Sequence, residues 1–134
     1  MSLLQKQGKN GEDANHVQMF LYKIPKQNHD AMFRLQQKLT RILRKNGTLY
    51  SEFYQLSYNE PFQGFTNLAR TLSANIEEEE VWVEIDHYKD LDHRNKVVAV
   101  AGEDPEAQPL FEEMVNLVSK SNSLVMGELK RLEV

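Results

Sequence analysis

The chain of 134 residues contains no cysteine, which excludes disulfides, thiolate metal sites and cysteine nucleophiles together. Proline and glycine are sparse, at four and six residues, as in a packed globular protein rather than a largely disordered one. There is no basic excess: the formal net charge is −4. Non-specific binding to a phosphate backbone needs cations that displace counterions, so nucleic acid is not an expected partner. No apolar run approaches the roughly 20 residues that span a bilayer, and no membrane association is expected. The stretch Met1 to Asn15, rich in Gln, Lys, Gly and Asn, lacks the apolar region of a signal peptide. It reads as a mobile tail, and cytoplasm is the expected compartment. Walker, Gly-x-Gly-x-x-Gly, Gly-x-Ser-x-Gly and His-Glu-x-x-His patterns are all missing, which removes the nucleotide, hydrolase and zinc-protease readings those motifs license.

What is present is a chain that is 40% hydrophobic and 27% charged, the size of one ordinary domain. That domain is expected over residues 16–134. Val17 to Ile24, closed by Pro25, is branched and aromatic enough for a mostly buried strand. Asn28 offers a helix N-cap and Asp30 favours the positive end of the dipole. Ala31, Leu35, Leu39, Ile42 and Leu43 then recur at helical spacing until Asn46 and Gly47 supply a stop. Thr48 to Tyr58 alternates as a second strand, with Tyr50, Tyr54, Leu56 and Tyr58 on one parity. Pro61 and Gly64 mark a loop, and Phe65, Leu68, Ala69 and Leu72 predict a short amphipathic helical insertion.

The acidic run Glu77 to Glu80 leads into a third strand over Val81 to Tyr88. Its Val81, Val83 and Ile85 side is expected to meet the helices, leaving Trp82, Glu84 and Asp86 on the open face. Asp90 or Asp92 can cap a helix running to Ala101. Residues 102–105 interrupt it before a second amphipathic segment from Leu110 to Val118, and Leu124 to Val134 is a last strand. Strand, helix, strand, strand, helix, strand is the split βαβ, ferredoxin-like α+β arrangement, with both helices on one face of a four-stranded sheet. The other, aromatic-rich face needs a cover, and a second copy of the chain would supply it, so a homodimer is expected.

The strand from Glu80 to Ile85, the charged helix start at Asp90 to Asn95, Val97 to Ala101, the break at Asp104 and Pro105 and the closing hydrophobic strand together resemble the dimeric α/β-barrel superfamily. Within it the chain is most similar to the uncharacterised YbaA-like proteins. Those, as the resemblance implies, also open with a strand ending in Pro and Lys (here Pro25 and Lys26) and carry a Phe-containing insertion before the third strand (here Phe65 to Leu72). The likeness is one of layout, running from about Val17 onward. Haem-degrading members use an Asn on the first strand and a His late in the second helical region. Here Val17 to Ile24 contains no Asn and Pro105 to Lys120 contains no His. Cofactor-free monooxygenases of this fold leave little signature beyond a polar-aromatic cavity, and fold alone assigns no function.

The leading expectation is a small apolar or aromatic molecule bound between sheet and helices, without a cofactor, and lined by Trp82, Tyr22 and Tyr54. Glu84 and Asp86 are the candidate catalytic groups, because a carboxyl deprived of water gains a raised pKa and can exchange protons. The enzyme alternative is a cofactor-independent monooxygenase or isomerase; a further one is a structural dimer with a filled core. Structural hydrogen bonds explain the same carboxyls equally well. His87 and His93, near Asp86, Asp90 and Asp92, have the side chains of a metal site but poor spacing, since residues 86 and 87 point to opposite faces. No metal is expected. His16 and His29 read as exposed residues at element ends, and the acidic run as a solvated one.

Overall fold

The computed structural model describes residues 14–120 and 124–134; the expected N-terminal tail lies, up to residue 13, outside them. In chain order the elements are β1 (His16–Pro25), α1 (His29–Lys45), β2 (Tyr50–Gln55), α2 (Leu68–Thr71), β3 (Glu79–Tyr88), α3 (Leu91–Gly102), α4 (Ala107–Leu117) and β4 (Leu124–Lys130). The sheet order is β2-β3-β1-β4 with every pairing antiparallel. Two β-α-β halves interleaved in this way give the expected ferredoxin-like fold.

In α1, Met32, Leu35, Gln36, Leu39 and Ile42 are buried, the spacing of one face of a 3.6-residue helix. Asp30 opens the helix and Arg44 and Lys45 close it, each sign at the end the helix dipole favours. Asn28 occupies the N-cap position without capping. Its amide instead donates to the Leu117 carbonyl at 3.0 Å, which ties the start of α1 to the end of α4. The stop is Gly47, at φ +117°, a conformation that suits only glycine. The expected break between α3 and α4 is present at residues 103–106, and Asp90 caps α3 by accepting from the His93 amide at 2.7 Å.

The faces of β3 are the reverse of the sequence reading. Trp82 joins Tyr22, Ile24, Met32, Leu35, Leu39 and Val118 in the main core, and register places Glu84 opposite Phe20 and Asp86 opposite Gln18 on that same side. Trp82, Glu84 and Asp86 therefore face the helices. Val83 and Ile85 lie on the open face, with Val17, Met19 and Leu21 of β1. The reading failed because the valine side looks the more apolar, and because both sides of β3 are covered at its start. The insertion packs Ala69 and Leu72 onto Val81, with Leu21, Leu56 and Ala74 alongside. Lys23, buried on that side, donates to the Ser73 carbonyl at 3.1 Å. Only Leu68–Thr71 of the expected amphipathic segment is helical, and Phe65 is exposed.

Candidate functional site

Between the helix-facing side of the sheet and α1, α3 and α4 lies a cavity of about 430 Å³. Its walls are Phe20, Leu39, Leu43, Val98, Ala101, Gly102 and Met114. Phe111 and Val115 of α4 and Leu124, Val125 and Met126 of β4 line it too and are solvent-exposed, marking its open side. The polar residues of the wall are Gln18, Gln36, Glu84 and Asp86. A pocket of this size and character, apolar with a few convergent polar groups, is the usual form of a small-molecule site.

Glu84 and Asp86 share a face because strand side chains repeat every two residues. They retain 6% and 1% exposure, and their carboxyls are hydrogen-bonded to one another. Burial raises the Glu84 pKa well above its ordinary value, and the neighbouring Asp86 charge and the bond to it push the same way. Burial also raises Asp86, but the bonds from Glu84 and from the Ser51 hydroxyl, 2.6 Å from Oδ1, favour its charged form. Burial thus favours the protonated form of both carboxyls, more strongly for Glu84, so Glu84 is the acid of the pair and Asp86, bonded by Ser51, the better acceptor. Two adjacent carboxyls out of water cannot both ionise cheaply, so one proton lies between them.

The other predicted residues are placed differently. Tyr22 is fully buried beneath the wall, its hydroxyl accepting from the Gln36 amide at 3.0 Å; desolvation, then the Glu84 charge, raise its pKa far above the ordinary phenol range. Trp82 lines a neighbouring cleft with Phe33, Gln37, Thr40, Arg41, Ser51 and Phe53, with Gln36 bordering both spaces. Tyr54 is half-exposed on the opposite face of the sheet and donates to Glu52 at 2.6 Å, so it does not reach the cavity. Its parity, opposite Val83, follows from the reversal of β3.

Three residues read as bystanders have partners. His16 is buried with Nε2 2.6 Å from Glu128, and that carboxylate also accepts from Gln18 and Arg94, each at 2.9 Å. His29 lies edge-on to Trp82 and 2.7 Å from Glu80. Glu80, in the run read as solvated, also accepts from the Trp82 indole at 2.9 Å. His87 pairs with Glu52 on the open face, while His93 accepts from the Lys89 amide. Among the described residues no group of three or more His, Asp or Glu converges for a metal ion.

Sequence reasoning missed Gln18, Gln36, Ser51 and Glu128. Gln36 carries a legible signal: it falls four residues after Met32 on the apolar stripe of α1, where an unexplained amide implies a polar group opposite.

No protein-family model matches the chain, and no curated protein matches it in sequence. Among solved structures it is similar to a NIPSNAP family protein of unknown function from Agrobacterium tumefaciens, with a TM-score of 0.54 at 14% identity over 89% of each chain. It is also similar to SnoaB, a cofactor-independent oxygenase from Streptomyces nogalater, with a TM-score of 0.52 at 9% identity over 90% of this chain and 97% of that one. At such identities the likeness concerns architecture, and what these comparisons establish is the ferredoxin-like fold.

Proposed function

We propose that the protein binds a small apolar or aromatic molecule in the cavity between its sheet and helices. The observation that carries this reading is an apolar chamber of about 430 Å³ with one buried carboxyl pair in its wall. A close-packed interior leaves few voids larger than a water molecule, so a space of this size argues against a filled structural core. Glu84 and Asp86 are the polar contacts of the bound molecule in this reading. Trp82 and Tyr22 stand behind them and fix Gln36 and the neighbouring cleft. Native mass spectrometry of the protein as purified tests it: a retained non-covalent mass is expected, and failure of any neutral aromatic probe to bind in solution overturns it.

A second reading, cofactor-independent catalysis, is favoured by the coupling of the two carboxyls. Asp86 would take a proton from a carbon beside a carbonyl while Glu84 gives its proton to the carbonyl oxygen, the exchange an isomerase performs. The fold shared with a cofactor-independent oxygenase is compatible with an oxygenase version of the same site. Asp86→Asn is expected to lower turnover at saturating ligand by about 10²-fold or more, beyond any change in affinity; equal turnover in both proteins removes Asp86 from the chemistry.

The same proposal includes a homodimer in the cytoplasm. Its support is the open face, where Val17, Met19, Leu21, Val83 and Ile85 are only part-buried in the single chain and a second copy would bury them. No helix of the described residues is long and apolar enough to cross a membrane. The finer likeness to YbaA-like proteins rests on the layout around Pro25, Lys26 and the insertion before β3.

A further inference from the structure

The polar atoms that the cavity offers are nearly all acceptors. Gln18 keeps 6% exposure and its Nε2 is committed to Glu128 at 2.9 Å. Gln36 keeps 4% and its Nε2 is committed to the Tyr22 hydroxyl at 3.0 Å. With each amide nitrogen committed, what either side chain can offer an occupant is its amide oxygen. Beside them stand Glu84 and Asp86. Their hydrogen bond to one another consumes the single proton they share, which leaves the remaining carboxyl oxygens as acceptors too.

Among the described residues no Lys, Arg or His lines the cavity. Arg94, whose guanidinium could have balanced it, is tied to Glu128 at 2.9 Å. The carboxyl pair thus has no counter-ion in the described cavity wall, and a charge on it is costly unless paired. An anionic ligand would compound that cost, whereas a cationic donor would relieve it and donate to the amide oxygens of the wall.

We infer that the cavity selects a hydrophobic amine: a protonated ammonium held by Asp86, Glu84 and the Gln18 carbonyl, with an apolar body against Phe20, Leu39 and Met114. The inference rests on the ligand-binding reading above and names the chemical class of ligand at that site.

Three probes of one shape and different charge test it: 1-naphthylmethylamine, 1-naphthalenemethanol and 1-naphthoate, titrated calorimetrically into the full chain at neutral pH. The amine is expected to bind about tenfold or more tightly than the alcohol, a difference of about 1.4 kcal/mol, and the carboxylate more weakly than the alcohol by a similar factor. The double variant Glu84→Gln, Asp86→Asn should bring amine and alcohol to within about twofold of each other, chiefly by weakening the amine. An alcohol that binds the wild-type protein as tightly as the amine overturns the amine inference and leaves the ligand-binding reading standing. Failure of all three probes overturns both. Amine preference that survives in a folded double variant assigns it to the acidic surface and also overturns the inference.

Discussion

At the scale of single residues, the shared proton of Glu84 and Asp86 has a thermodynamic signature. Burial raises Glu84 above its ordinary value of 4.5. Between pH 4.5 and the folded value, the folded protein keeps a proton that the unfolded chain has released. The unfolded state then binds fewer protons, so stability falls as pH rises through this window and is greatest, for this group, below it. Glu84→Gln keeps a donor toward Asp86 without the titration. It is expected to gain on the order of 1 kcal/mol at pH 8 and nothing near pH 4.5, read from urea midpoints at the two pH values. An equal gain at both would assign the effect to packing. The two-residue spacing made this pair legible in the sequence, because residues two apart on a strand must share a face. Which face was not legible, since Val81, Val83 and Ile85 outrank Trp82, Glu84 and Asp86 in hydrophobicity. Only the covering insertion and the cavity show why the apolar side turns outward. Gln18 and Ser51 were beyond reach because their meaning comes from register across strands.

Among the elements, α1 was the clearest from sequence and its ends show what decides a boundary. Gly47 sits at φ +117°, and a Cβ there would lie 3.1 Å from Val97 Cγ2 of α3. Gly47→Ala therefore meets both backbone strain and a steric limit, and should cost about 1 to 2 kcal/mol, measured as a lower urea midpoint with an unchanged slope. A smaller loss would mean that the turn relaxes away from Val97. The start of α1 was misread because Asn28 has two uses for its side chain, and the carbonyl of a distant helix outcompetes the local amide. His16 and His29 were misread for the same reason: each partner, Glu128 or Glu80, is remote in sequence. The order of the four strands, in contrast, followed from the alternation of elements alone, because few topologies connect them without crossing.

For the whole molecule, the proposed homodimer turns on the open face of the sheet. Ile85 lies at its middle, opposite Met19 of β1 and Glu52 of β2. Ile85→Lys should leave the far-UV circular dichroism unchanged and convert a dimer into a monomer in sedimentation velocity, because a like-charged lysine from each copy would meet at the apolar contact. A wild-type protein that sediments as a monomer would overturn the dimer itself.

The insertion then acquires a role in shape. Ala69 and Leu72 sit over Val81 and Leu21, so one end of the sheet is already roofed by its own chain. In the proposed homodimer a partner would settle on the end near Val17 and Ile85, and would strike that roof on sliding toward Val81. In a two-fold pair each chain would carry such a stop, and the two together would fix how far one sheet can advance over the other. In the proposed dimer a short surface loop would thereby be the ruler of the assembly, setting its register as a doorstop sets the angle of a door.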